Sequence, residues 1–158
     1  MSERDRGKAD DRDYEGVSVR EATPDDRLGV RRVLDAAMLD VREDLAERIA
    51  AGDVLVVRRC DSDGDASDAP ILGALVLVPR GGAPPFAHVD AVAVRRARRG
   101  RGVGTALVRA AAERYPRLTA EFDREMRPFY ESLGFEIAAA DDGRLRGRYV
   151  AEADEYDR

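Results

Sequence analysis

Cysteine occurs once in the chain, at Cys60, so no disulfide can form within it, and a disulfide-stapled scaffold is excluded. Read as a small apolar residue at a strand end, Cys60 needs no chemical role. Histidine is also single, which leaves His88 as the one side chain whose ordinary titration lies near neutral pH. Lysine is limited to Lys8, and arginine carries the remaining positive charge. No apolar run has membrane-spanning length, and the opening stretch MSERDRGKADDRDYE lacks the apolar core of a signal peptide. These absences predict a cytoplasmic protein with no membrane partner. Excess positive charge is missing too: a formal net charge of -5 makes the surface as a whole repel nucleic acid and anionic lipid. Any basic function must therefore be local. At 158 residues the chain has the length of one domain and is short for two.

What is present reads as an ordered succession of elements. Residues 1–15 are almost wholly polar and predict a disordered arm, residues 16–151 a single domain, and residues 152–158 a flexible tail. VSVR from Val17 alternates as a strand, and TPDD places Thr23 as an N-cap with Pro24 at the first helical position. Val30, Val33, Leu34, Ala37, Met38, Val41, Leu45 and Ile49 then recur at three- and four-residue intervals. The spacing predicts one long or two consecutive amphipathic helices ending at Gly52. DVLVVRRC and ILGALVLVP flank an acidic loop, DSDGDASDAP, as a hairpin. Asp61, Asp63 and Asp65 mimic a calcium loop, but glycine stands fourth instead of sixth and no closing glutamate follows. The loop reads as a solvated turn and no metal is expected. FAHVDAVAV, RLTAEF, FEIAAA and RLRGRYV supply further strands, with a helix from Val103 to Tyr115 and a short one in RPFYESLG. The result is an α/β chain with a mixed sheet and helices on both faces.

Between the fourth strand and the helix from Val103 lies RRARRGRGVGTAL, with five arginines and three glycines in the ten residues from Arg95 to Gly104. A strand entering a glycine-rich turn and then a helix leaves backbone N–H groups of the first turn unpaired. Gly100, Gly102 and Gly104 remove side chains that would bar a phosphate from that backbone, and Arg99 and Arg101 add charge. The competing readings are a solvated turn, an ordinary basic connection, and a nucleic-acid contact. Against the last stand the acidic remainder and the lack of interleaved aromatics, so no nucleic acid is expected as partner.

VAVRRARRGRGVGTALVRAA closely resembles the acetyl-CoA-binding segment of the GNAT acetyltransferase superfamily, whose signature Q/R-x-x-G-x-G/A is matched by Arg99, Gly102 and Gly104. FYESLGF, Phe129 to Phe135, resembles the family's C-terminal motif, and VSVREATPDD resembles a family start, so the likeness runs from residue 17 to about 150. The resemblance implies a splayed, mostly antiparallel seven-stranded sheet with helices on both faces. It also implies acetyl-CoA as cosubstrate. Its pyrophosphate would lie on Arg99, Gly100, Arg101, Gly102, Val103, Gly104 and Thr105, and its pantetheine along Val92, Ala93 and Val94, with the Val92 N–H near the thioester carbonyl.

Acetyl transfer to an amine needs a neutral amine, a stabilised oxyanion and a proton for the departing thiolate. His88 and Asp90, two apart on a strand, share one face, and in the resembling family a general base commonly stands at about these positions. An ordinary strand histidine bonded to a neighbour is the alternative. In the family the tyrosine of the short helix, here Tyr130, protonates the CoA thiolate. Phe129 and Leu133 at helical spacing would serve the core and leave Tyr130 beside their stripe. Many relatives carry asparagine seven residues before this tyrosine and a small residue four before it; Asp123 and Met126 stand there instead. An ionised Asp123 accepts but does not donate, so it meets either the cofactor or a cationic substrate. Glu21, Glu121 and Glu125 are further acids for an acceptor side, or solvated surface groups.

The resemblance therefore implies an N-acetyltransferase acting on a primary amine by direct attack, with a non-catalytic CoA-binding module of the same fold as alternative. The acceptor, a small molecule or a protein or peptide amine, is not specified by these motifs, and a homodimer is open.

Overall fold

The computed structural model describes residues 17–59, 70–82, 85–96, 99–100 and 102–150. The expected arm 1–15, Cys60, the acidic loop at Asp61 to Asp68, Arg98, Arg101 and the tail 152–158 lie outside the described residues. Seven strands are hydrogen-bonded in the order β1-β2-β3-β4-β5-β7-β6. The paired residues are antiparallel for β1 with β2, β2 with β3, β5 with β7 and β6 with β7, and parallel for β4 with β5. Contacts group the described residues into two compact units: those up to Val76 with Ala91–Ala110, and Leu77–Asp90 with those from Ala111 onward.

In the first unit, β1 (Val17–Glu21) and β2 (Val54–Arg59) lead to the start of β3 (Ile71–Gly81). Helices α1 (Arg27–Ala36) and α2 (Leu45–Ala50) bury Val30, Val33, Leu34, Leu45 and Ile49 against Val54, Val56, Ala74 and Val76. The alternation along β2 and β3 puts these strand residues on one face, and each fully buried aliphatic side chain contributes about 1.5–3 kcal/mol. Thr23 starts a single 3-10 turn, Pro24–Asp26, ahead of α1. Its N–H donates to Asp26 Oδ2 at 2.8 Å. Asp26 is 2% exposed and pairs with the guanidinium of Arg58 on β2. Burial opposes its ionisation, but the Thr23 N–H and Arg58 outweigh it and hold the carboxyl below its usual range.

The long periodic stretch resolves into two helices, and Met38 leaves the apolar face it was expected to join. The N–H of Leu39 reaches the carbonyl of Leu34 at 3.0 Å and that of Met38 the carbonyl of Asp35 at 2.9 Å, which closes α1 in a Schellman turn. Met38 takes the left-handed position of that turn, φ 62°, and is 90% exposed. The 3.6-residue period continues through a backbone that no longer does.

The second unit holds the rest of β3 and most of β4 (Phe86–Val94), then β5 (Arg117–Phe122), β6 (Glu136–Ala139) and β7 (Leu145–Val150). The parallel pairing of β4 with β5 runs from Phe86 opposite Arg117 to Val89 opposite Ala120. Helix α3 (Val103–Arg114) precedes β5, and α4 (Arg127–Ser132) precedes β6, closed by Gly134 at φ 94°.

One close approach in the first unit governs where α3 begins. In β3, Val57 of β2 faces Gly73 whereas Arg58 faces Ile71, so Leu72 is an extra residue and the strand bulges. A Cβ on Gly73 would stand 3.0 Å from Val103 Cγ1, 3.1 Å from the Ala93 carbonyl oxygen and 3.3 Å from Leu107 Cδ1. The first two turns of α3 rest on the space that glycine leaves. Gly73→Ala is expected to cost about 1–3 kcal/mol through overpacking, read as a lower urea midpoint with an unchanged m-value.

Candidate active site

The turn from β4 to α3 is built by named hydrogen bonds. The N–H of Arg95 donates to the Leu72 carbonyl at 2.8 Å and its Nε to the Ile71 carbonyl at 2.7 Å. Arg95 is thus a clamp that ties the strand exit to the β3 bulge. Arg99 Nε donates to the Val94 carbonyl at 3.2 Å, which folds this exposed side chain back over the end of β4. Gly100 and Gly102 take φ values of 81° and 88°. A Cβ on Gly100 would meet nothing within 4 Å, so backbone conformation and not space demands glycine there.

The N–H of Ala106 donates to the Gly102 carbonyl at 2.9 Å, the first rung of α3. The N–H groups of Val103, Gly104 and Thr105 therefore precede any intrahelical acceptor and carry the positive end of a twelve-residue helix dipole. Val103 is buried and anchors this first turn, while Gly102, Gly104 and Thr105 are half-exposed. Such a turn takes a phosphate without further device. Along the preceding strand Val92 and Val94 are half-exposed and Ala93 is buried, so Ala93 faces the core and could offer a ligand only its backbone.

In the second unit, burial alternates along β4 as the two-residue period requires, with Ala87 and Val89 buried and Phe86, His88 and Asp90 on the open face. His88 stands opposite Thr119 of β5, and its Nδ1 lies 2.9 Å from Thr119 Oγ1. Burial is the largest influence on the imidazole and pushes its pKa below 6.5; Arg80 adds to this, Asp90 and Glu121 oppose it, and Arg146 adds a smaller push. His88 is accordingly neutral at pH 7. Glu121, directly opposite Arg146 on β7, accepts from Arg146 Nη2 at 2.9 Å, a bond that holds its carboxyl below the usual range. Asp123 is exposed and meets Arg144 Nε at 3.3 Å. Glu125 is exposed in the turn before α4, and in the first unit Glu21 is exposed at the end of β1.

Tyr130 departs from expectation. It is the most buried residue of α4, 5% exposed, whereas Phe129 and Leu133 are only half-buried. Its ring stacks on Phe122 at 4.1 Å between centroids and meets the edges of Phe129 at 4.9 Å and Phe135 at 5.1 Å. Helical spacing put Phe129 and Leu133 in the core and Tyr130 beside them; instead Phe122 at the end of β5 and Phe135 ahead of β6 cover Tyr130. Burial alone pushes the hydroxyl pKa up to about 12.

The sequence reading also passed over Gly73, whose signal was present: a lone glycine inside the run ILGALVLVP marks a bulge or a close backbone approach. Among the described residues, no group of three or more His, Cys, Asp or Glu side chains is arranged to hold a metal ion.

A search of curated protein sequences gives no match. Solved structures do align. The N-acetylglutamate synthase from Neisseria gonorrhoeae, in complex with coenzyme A and L-arginine, superposes with a TM-score of 0.68 at 17% identity; the alignment covers 86% of this chain but 33% of that one. Ard1 from Thermoplasma volcanium gives 0.67 at 18% identity over 86% of this chain and 98% of that one. A GNAT-family acetyltransferase from Listeria monocytogenes gives 0.61 at 15% identity, covering 85% and 94%. The family model of the acetyltransferase (GNAT) family matches residues 25–135, a span that contains the β3 bulge, the glycine turn, His88 and Tyr130. The chain belongs to the acetyltransferase (GNAT) family.

Proposed function

We propose that the protein is an N-acetyltransferase that moves the acetyl group of acetyl-CoA to a primary amine by direct attack. The observation that carries this reading is the first turn of α3, with Gly100 and Gly102 in left-handed conformations and three N–H groups ahead of the first helical bond. In this reading the N–H groups of Val103, Gly104 and Thr105 hold the CoA pyrophosphate, with charge from Arg99 and Arg101. Backbone groups of Val92 and Val94 align the pantetheine. The coenzyme A complex of the Neisseria gonorrhoeae relative supports the same class of cosubstrate.

The amine nitrogen attacks the thioester carbonyl carbon, the carbon–sulfur bond breaks, the nitrogen loses a proton, and the sulfur leaves as a thiolate. His88, alone or with Asp90, is the proposed acceptor of the amine proton. With hydrogen on Nδ1 it donates to Thr119 Oγ1, and Nε2 keeps a free lone pair. Tyr130 is the proposed donor to sulfur. With a hydroxyl pKa of about 12 it is a weaker acid than a thiol, whose pKa is about 8.5, so its contribution is a hydrogen bond to the developing thiolate more than a completed transfer.

A second reading, a CoA-binding module without chemistry, is favoured by one observation: His88 and Tyr130 both have ordinary structural partners, in Thr119 and in Phe122 with Phe135. Turnover separates the two.

Gly102→Glu sets a side chain and a negative charge in the turn, and is expected to abolish the rise in melting temperature that acetyl-CoA produces; an unchanged rise removes the turn from the site. Tyr130→Phe is expected to lower kcat by about 100-fold or more while leaving the acetyl-CoA-induced rise intact; a loss confined to affinity assigns Tyr130 to packing. Because the His88 pKa is lowered, the base form predominates at pH 6.5 and above and is lost as pH falls through the lowered value. The acid limb of kcat/KM is therefore expected below pH 6.5, and His88→Gln is expected to remove it. An unchanged limb in that variant excludes His88 as the base.

A further inference from the structure

Strand register sets a row of side chains across the open face of the second unit, and the row starts at His88. His88 on β4 stands opposite Thr119 on β5, Thr119 opposite Arg148 on β7, and Arg148 opposite Glu136 on β6. His88 Nδ1 lies 2.9 Å from Thr119 Oγ1, so one end of the ring is tied to the neighbouring strand. Nε2, at the other end, takes no part in that bond. The tie is stiff. β5 is flanked by β4 and β7, the residues on either side of Thr119, Leu118 and Ala120, are buried on the opposite face, and the branched Cβ of threonine restricts its χ1.

A hydroxyl can take either part in this bond, and the two cases differ chemically. If Thr119 donates to Nδ1, Nε2 carries the ring hydrogen and has no lone pair for an amine proton. If Nδ1–H donates to Thr119, Nε2 keeps its lone pair. Only the second arrangement passes through proton uptake unchanged, because an imidazolium has hydrogen on both nitrogens and its Nδ1–H still points at Oγ1, now in a charge-assisted bond. A histidine side chain free in water favours hydrogen on Nε2, so a fixed acceptor at Nδ1 is what reverses that preference.

We propose that Thr119 is a positioning residue for the transfer: its Oγ1 accepts from His88 Nδ1, holds the ring hydrogen there, and leaves the Nε2 lone pair to take the proton of the acceptor amine. The amine N–H bond breaks as the Nε2–H bond forms, and the bonding pair stays on the amine nitrogen. Thr119 itself exchanges no proton. This inference rests on the transferase reading above, with His88 as the base, and names the residue that prepares that base.

His88 is the one histidine of the chain, so its ring gives a single set of NMR signals, and its nitrogen shifts at about pH 8, where the ring is neutral, report which nitrogen carries the hydrogen. The wild-type chain is expected to carry it on Nδ1. Thr119→Val keeps the branched shape and removes the acceptor; it is expected to move the ring toward the Nε2–H form and to lower kcat about tenfold, the scale of one hydrogen bond, with KM for acetyl-CoA unchanged. Thr119→Ser restores the hydroxyl and is expected to recover both the tautomer and most of kcat, which a packing role would not do. Thiol release from acetyl-CoA reads turnover, with a free amino acid, a linear diamine and an unblocked peptide as acceptors. Hydrogen on Nε2 in the wild-type chain, or an unchanged tautomer in Thr119→Val, overturns the inference and leaves the transferase reading standing, as does a Thr119→Ser variant that recovers nothing. A shifted tautomer with unchanged kcat overturns it too, and removes His88 as the base. The expected tautomers without turnover of any acceptor support the placement of the ring and overturn the transferase reading.

Discussion

The absence of a side chain at Gly73 is the constraint on which the glycine turn and the start of α3 depend. With a Cβ there, Val103 and Leu107 could not approach β3 as closely as they do, and the Ala93 carbonyl on β4 would be crowded as well. The bulge at Leu72 supplies the complement, because it presents the Ile71 and Leu72 carbonyls to Arg95. Strand exit and helix start are thus fastened to one irregular point of one strand. The glycines of the turn can then adopt left-handed conformations with both ends held, and the first N–H groups of α3 face outward as a fixed set of donors.

The second unit tunes its polar groups by different means. Tyr130 is governed by burial among aromatic rings, which raises its pKa and keeps it a neutral hydrogen-bond donor over the whole working range. His88 is only half-buried, and opposing charges surround it, so burial and Arg80 lower its pKa against the pull of Asp90 and Glu121. Desolvation acts on both in the direction of the neutral form, which for a phenol means a weaker acid and for an imidazole a form ready to take a proton. The cross-strand pairs of β5, β6 and β7 largely cancel the charges they join, Arg146 with Glu121 and Arg148 with Glu136.

Much of this was legible in the chain. All seven strands and the helices beginning near Val103 and Arg127 were readable from alternation, from helical spacing, and from the glycines and prolines that punctuate them. Local propensity and period are properties of short segments, and short segments are what a sequence displays directly. The glycine turn was readable for the same reason, since a strand, a left-handed turn and a helix start are all local. Met38 marks the limit: its place in the periodic run is genuine, but a Schellman closure takes it out of the helix and into solvent.

The sequence by itself determined the order of elements, the position of the glycine turn and the sharing of one strand face by His88 and Asp90, because each depends on residues within a few positions of one another. Only the tertiary structure decided that Tyr130 is the buried ring of its helix, that Arg95 is a clamp, and that Asp26 and Arg58 pair across 32 positions. Those outcomes depend on which distant segments share a strand register, a covering ring or a bulge, and no local pattern encodes that choice.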